Sequence, residues 1–435
     1  MYIMCLSLVL IFLSCSGVKS FTIKNETSLR EELFVTNEYD VNVRPLSRVT
    51  VQIKFNLLTI HELNIRDQVF RVSGWLTMVW LDKRLSWDKD KHGNVQFLFA
   101  TQSEIWRPAM VVSNSIENVG VLADEFTPFR ITTGGRIFWE PTGIFVVYCE
   151  VDITYYPFDT QECFITVQSW GYNLREVNVT ALGEGIDIQE FKPNGEWQLT
   201  SFRVSTEDNI DSKGDSFSQI KFHFKLDRKS NYYWLNVLLP VLVNSILTAL
   251  VFALPAESGE KMGYSLTVLL SFAVLLTLVA DKIPSTSINT SLIVVYFAIV
   301  LVLGALAVAL STIVLEFYFR SDAEPIPKWV MFISKDIVGR MVCYKGINTS
   351  KNSRRVENGV EPKVDYNDDP PLDRATTIKR EIFLRKASEI YRDRMNCELR
   401  WRDISKIWDV FFLRLYLLVI TCVTLGFLIG TAGRA

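Results

Sequence analysis

Four apolar runs, at 234–254, 264–280, 292–315 and 407–430, constrain this chain more than any other feature. Three are long enough to cross a hydrocarbon layer of about 30 Å as helices, which satisfy their own backbone polar groups there. The second, YSLTVLLSFAVLLTLVA, is shorter, but Lys261 and Asp281 flank it and can sit at the two membrane faces. Four spans return the C-terminus to the side of the N-terminus and leave 320–406 as the long loop on the other side. That loop holds 19 Lys+Arg against 14 Asp+Glu, and juxtamembrane Arg320, Lys328, Arg402 and Lys406 predict a cytoplasmic placement. Within it, KNSRRVENGVEPKVDYNDDPP at 351–371 is polar and ends in two prolines, which predicts a mobile segment. The helix formers from Thr376 to Lys406 predict a charged helix running into the fourth span.

Ahead of the spans the period changes. Val49, Val51, Ile53, Phe55 and Leu57 alternate with polar residues, and Ile220, Phe222, Phe224 and Leu226 alternate with Lys221, His223 and Lys225. A period of two buries one face of a strand, and His223 is then expected to face solvent. Turn signals such as Thr133-Gly-Gly and Pro193-Asn-Gly separate further short runs, so residues 21–232 read as one β-sandwich. The first twenty residues read as a secretory signal, with a signal anchor as the weaker alternative. If the signal is cleaved, Cys5 and Cys15 leave with it, and Cys149 and Cys163 are the cysteines left outside, where they should be bonded. Sequons at Asn25 and Asn178 fit a glycosylated exterior.

The expected organisation is therefore a signal at 1–20, an extracellular sandwich at 21–232, three spans within 233–319, a cytoplasmic loop at 320–406 and a fourth span with a short outer tail at 407–435. On a helix, Gly263, Thr267, Leu270, Val274, Thr277 and Asp281 follow one another at steps of four and three, forming a single stripe. In a lone helix such a stripe serves packing against neighbours. In several copies around an axis it lines a pore: Thr267 meets water, Leu270 and Val274 form apolar rings that close by dewetting, and Glu260 and Asp281 place acidic rings at the mouths. Acidic rings select cations.

The segment CEVDITYYPFDTQEC, Cys149 to Cys163, carries the most specific signal. Two cysteines with thirteen residues between them, around Tyr156-Pro157-Phe158-Asp159, resemble the signature of the Cys-loop pentameric ligand-gated ion channels, on their nicotinic acetylcholine receptor side. Also similar are Trp75-Leu-x-x-x-Trp80-x-Asp82, Ile105-Trp106-x-Pro108, Pro193-Asn-Gly-Glu-Trp197, Gly259-Glu-Lys261 and Pro325-Ile-Pro-Lys-Trp329, the last at a short helix after the third span. The resemblance implies a β-sandwich followed by a four-helix membrane bundle, assembled with four further identical or homologous subunits. It also implies that the bonded loop couples ligand binding to the pore, with Asp159 and Arg228 as an ion pair. Ile65 replaces the family's acidic partner, and Ser291 replaces a proline between the second and third spans.

In that family the agonist sits in an aromatic box between subunits, suited to ammonium groups by cation–π attraction. The resemblance puts Trp170, Tyr172 and Phe217 on one side of the box, and Trp75, Phe138 and Glu140 on the neighbour's side. Ser113 stands where a tyrosine is usual, and TEDNIDSKGDS lacks the adjacent cysteine pair, so classical acetylcholine binding is not expected. Core packing is the other reading for Trp75 and Trp170. Glu117 matches an acidic position of the outer vestibule, where a ring would concentrate cations.

The reading is a cation-selective ligand-gated channel of the plasma membrane with a small, cationic or amphiphilic agonist; the alternative is a non-conducting, modulatory subunit of a heteromer. A net charge of −2 without a basic patch argues against nucleic acid. His61, His92 and His223 are scattered, and no metal-ligand spacing, nucleophile motif or phosphate-binding Gly-rich loop appears, so no metal, cofactor or enzyme activity is expected.

Overall fold

In the computed structural model, residues 22–117, 119–122, 126–210, 216–281, 283, 290–321, 324–342 and 400–432 are described. The expected signal segment, the stretch 351–371, the expected charged helix as far as residue 399 and the tail after 432 lie outside them.

The period-two alternation becomes long strands. Val49, Val51, Ile53 and Phe55 are fully buried on one face of β1 (Val49–Asn64), and Ile220, Phe222, Phe224 and Leu226 are fully buried on β11 (Ser216–Arg228). A seven-stranded sheet runs in the order β3 (Phe97–Ala100), β5 (Phe129–Thr132), β6 (Gly134–Trp139), β2 (Val69–Ser86), β1 and β9 (Val177–Asp187), and β7 (Thr142–Tyr148) also pairs with β2. A four-stranded sheet runs β10 (Trp197–Ile210), β11, β8 (Thr160–Ser169) and β4 (Met110–Val112). Rings from the two sheets interlock, with Phe55 lying 5.7 Å from Phe222 and Phe70 lying 5.9 Å from Phe224. Each such ring contributes about 1.5–3 kcal/mol through burial.

The first described residues are not a strand. Ile23–Arg30 is a helix that continues through a wider turn at Glu31–Thr36. Leu29 and Leu33, four apart and both buried, anchor it, and the Thr22 hydroxyl accepts the Asn25 N–H at its start. His223 also departs from the expectation of a solvent-facing residue: its side chain is 12% exposed. It lies on the outer face of its sheet but beneath Phe164, with Nδ1 3.2 Å from Glu162 and Nε2 3.0 Å from the Ser205 hydroxyl.

A second unit comprises Tyr233–Ala280 and the chain from Leu292 onward. Its four apolar helices are Asn231–Ala253, Lys261–Ala280, Leu292–Phe319 and Trp401–Thr431. Phe252, Ala307, Val314, Phe412 and Tyr416 pack together, the small Ala249 and Ala307 letting helices approach closely. The second helix starts at Lys261, longer than its apolar run. Lys261 does not mark a membrane face: it is wholly buried and ion-paired to Asp409 of the fourth helix. Asp281 lies just past the second helix and is exposed. After the third helix, Lys328–Phe332 and two further turns to Val342 form the short helix, held by Trp401 Nε1 on the Glu324 carbonyl and Trp408 Nε1 on the Ser334 hydroxyl, each 3.0 Å.

Burial, helped by the Arg203 charge, holds the His223 imidazole below its ordinary range, so the unfolded chain binds this proton better than the folded one. The stability it contributes is present above the unfolded value near pH 6.5 and is lost as pH falls through it. Thermal unfolding of the detergent-solubilised protein should therefore occur at lower temperature at pH 5.5 than at pH 7.5, and His223→Gln should shrink that difference. An equal difference in the variant would remove His223 from the account.

Candidate functional site

Three groups of side chains carry the chemistry of the extracellular unit. The first surrounds Trp170 at the end of β8. Its N–H bonds to the Ala109 carbonyl at 2.7 Å, and Gly171 at φ +82° turns the chain there, so the indole projects outward and is 57% exposed. Trp170, Gln168, Ser169, Gly171, Asn209, Ile210 and Phe217 line a cavity of about 560 Å³. Tyr172 is not among these lining residues: its ring meets Trp106 edge-on at 6.2 Å, and its carbonyl accepts from the Ser169 hydroxyl. Ser113 is also outside the cavity lining, exposed in the turn after β4, with its N–H on the Thr166 carbonyl.

The second group lies on the other sheet. In β2, Leu76, Met78 and Trp80 face the core; Trp75, Thr77 and Val79 lie on the other face, where Trp75 is half-buried but Thr77 and Val79 are covered. Phe138 sits opposite Val79, under the Arg130 guanidinium at 4.9 Å. The Asn56 amide donates to the Thr77 hydroxyl at 2.9 Å, which donates to the Glu140 carboxylate at 3.1 Å. This chain of bonds orients an exposed acid on the face that also carries the half-buried Trp75. Asn56 and Thr77 escaped sequence reading because, as polar residues of an alternating strand, they look like plain solvent-facing positions. Within one chain, Trp170 and Phe217 line one cavity, whereas Trp75, Phe138 and Glu140 share the outer face of the other sheet, with Phe138 paired to Val79, four residues along β2 from Trp75. Neither tryptophan is a core residue.

The third group surrounds the bonded loop, where Cys149 and Cys163 are joined. The Arg228 and Asp159 side chains are 1% and 2% exposed and meet through two bonds, at 2.8 and 3.2 Å. Glu196 takes a third guanidinium bond at 2.5 Å, Gln161 donates to Asp159, and the Trp197 and Tyr156 rings cover Arg228 at 4.1 and 5.2 Å. Pro157 follows Tyr156 through a cis peptide, and Phe158 donates its N–H to the Tyr155 carbonyl at 2.8 Å. Glu196 belongs to the Pro-Asn-Gly-Glu-Trp motif, which was the signal available for it. Ile65 is buried, consistent with its being apolar.

Glu117 is exposed, but Arg71 lies 3.3 Å from it and equally close to Glu62, which offsets part of its charge. Asn25 packs against Gly93, where an added Cβ would lie 1.7 Å from the Asn25 amide nitrogen, and Asn178 is half-buried in β9. In the membrane unit, Gly263, Thr267, Leu270, Val274 and Thr277 are all exposed, Leu270 by 65%, while Ser265, Val268, Phe272 and Val279 of the same helix are buried. The Thr267 and Thr277 hydroxyls donate to the carbonyls of Gly263 and Val274 of their own helix. Glu260, one residue before this helix, is exposed and has no ion pair among the described residues.

Comparison with known proteins agrees with this arrangement. Residues 26–230 match the neurotransmitter-gated ion-channel ligand binding domain, and residues 237–407 match the neurotransmitter-gated ion-channel transmembrane region. The acetylcholine receptor subunit beta of Xenopus laevis is 30% identical over 74% of this chain and 67% of its own length. The chain belongs to the neurotransmitter-gated ion-channel family. This channel subunit is also similar to acetylcholine receptor subunit alpha-1-A of Xenopus laevis, 26% identical over 97% of this chain and 96% of that protein. An acetylcholine receptor subunit alpha-like protein of Manduca sexta is 31% identical over 70% of this chain and 62% of its own length. Membership makes it a multi-pass subunit of a ligand-gated channel rather than an enzyme, and implies assembly with homologous subunits and a neurotransmitter ligand.

Removing one member of a buried ion pair leaves the other charge stranded at a cost of about 3–5 kcal/mol. Asp159→Asn should therefore lower the unfolding temperature and surface expression far more than Glu117→Gln, whose carboxylate is exposed. Equal surface labelling of the two variants would show that the Arg228 cluster is dispensable.

Proposed function

We propose that five copies of this chain, or of this chain and homologues, form a cation-selective channel of the plasma membrane, with the N-terminal unit and the C-terminus extracellular. It opens when a small cationic or amphiphilic molecule binds between neighbouring subunits. The observation that carries this reading is the second helix: its hydroxyl-bearing and apolar stripe is exposed while the opposite face is buried. Lipid would suit Leu270 and Val274, but acidic residues at both ends of the same helix call for water, and copies around an axis supply it. The exposed Glu260 at its start, without an ion pair among the described residues, and Asp281 at its end support cation selection, and Glu117 supports attraction of cations ahead of it.

Ligand binding between subunits draws its support from the two separate surfaces. Trp170 and Phe217 border an open cavity, and Trp75, Phe138 and Glu140 offer aromatic faces and one negative charge to a neighbour. Aromatic faces and a carboxylate favour a cation. Ser113 removes a phenol from this surroundings, so a ligand other than acetylcholine is the expected agonist, and amines, amino acids and amphiphiles are the panel to test. From the loop, a rearrangement has a short path along the backbone: Arg228 ends β11 and the first apolar helix starts at Asn231. That is the basis for a coupling role of Tyr156, Pro157, Phe158, Asp159 and Arg228. The exposed Ser113 also favours the rival reading, a subunit that assembles without binding an agonist.

Leu270→Thr should wet the apolar ring and give spontaneous current in oocytes expressing the chain, measured under voltage clamp without ligand. Silence despite normal surface labelling would favour the non-conducting subunit. On the same background Glu260→Ala should lower the cation-to-anion permeability ratio by about fivefold, the factor that roughly 1 kcal/mol of lost Coulomb attraction corresponds to; an unchanged reversal potential would count against its role.

A further inference from the structure

Glu260 and Lys261 are adjacent and oppositely charged, so two solvated side chains at one pore mouth would largely cancel. The fold keeps them apart. Glu260 is exposed, whereas Lys261 is 0% exposed, its ammonium bonded to Asp409 of the fourth helix and lying 5.9 Å from the Phe252 ring. Asp409 is itself only 13% exposed. A buried ammonium with no partner is costly, and its field reaches far because little water screens it. The fourth helix thus supplies, from a position off the exposed stripe, the carboxylate that neutralises the ammonium of the second helix.

We propose that Asp409 is a positioning residue for ion selectivity: by binding and neutralising Lys261, it leaves the Glu260 carboxylate as the net charge at the mouth of each subunit. This rests on the reading of the second helix as pore-lining. With all three groups in place the local charge per subunit is −1. Removing only Asp409, or only Glu260, brings it to zero, and removing Asp409 together with Lys261 restores −1.

The test measures permeability ratio and single-channel conductance on the spontaneous current of the Leu270→Thr background, with surface labelling of every variant. Asp409→Asn should lower the cation-to-anion ratio by at least about threefold, as an uncompensated charge of one unit near a partly screened mouth requires. Asp409→Glu should keep the parent ratio, and Lys261→Met combined with Asp409→Asn should restore it. A merely structural pair would change the number of channels at the surface and leave the ratio alone, and that result overturns the proposal. Should Asp409→Asn be retained inside the cell, the double variant decides: it must reach the surface with the parent ratio, and failure to do so also overturns the proposal. If Glu260→Gln leaves the ratio unchanged while Asp409→Asn alters it, the charged mouth is misassigned. Absence of current from the parent at normal surface level refutes the pore reading and this proposal with it.

Discussion

The buried guanidinium of Arg228 is the constraint on which the extracellular unit depends. A charge removed from water must find partners, and here they come from three places along the chain: Asp159 in the bonded loop, Glu196 before β10, and the Trp197 and Tyr156 rings. Satisfying one cation therefore fixes the loop, the start of β10 and the end of β11 together. The disulfide closes the same loop covalently between β7 and β8. A motion of the loop cannot leave the end of β11 unaffected without exposing or stranding that charge, which is what a coupling element requires.

The two outward aromatic surfaces show why the proposed agonist site needs such a chain in the plural. Period-two strands put Trp75 and Glu140 on the outside of one sheet, and the Gly171 turn puts Trp170 on the outside of the other. A sheet with its core face filled by Leu76, Met78 and Trp80 has no way to bring these outward residues across the sandwich. Their aromatic faces become useful together only when another subunit supplies the missing half. The Asn56–Thr77–Glu140 chain of hydrogen bonds fixes the direction of that carboxylate, and in the proposed agonist site a carboxylate already oriented lowers the ordering cost of binding.

In the membrane unit, polar contacts between helices do what apolar packing does not. Asn244 of the first helix donates to Ser271 of the second, Lys261 pairs with Asp409, and the Tyr416 hydroxyl donates to the Leu303 carbonyl at 3.0 Å. With lipid as apolar as leucine, such contacts give helix association its direction. They all lie off the exposed stripe, so the second helix is held by its back and leaves Leu270 and Val274 free.

The strands with clean alternation, the spans and the loop cysteines were legible from the amino-acid sequence because each rests on a local period, a length or a spacing. The N-terminal helix was not, since Leu29 and Leu33 carry too short an apolar pattern to stand out beside the strands that follow. His223 was misread for a related reason: alternation says which face of a strand a residue occupies, not what covers that face, and Phe164 and Glu162 come from a neighbouring strand. Resemblance gave the residues of the two proposed agonist surfaces and their division between neighbours, but not the Asn56–Thr77–Glu140 chain of hydrogen bonds behind one of them. Sequence by itself thus determined the period, the number of spans and the family. Only the tertiary structure decided that Lys261 is buried against Asp409 while Glu260 remains exposed, because the partner lies 148 residues away and no local pattern encodes a meeting at that distance.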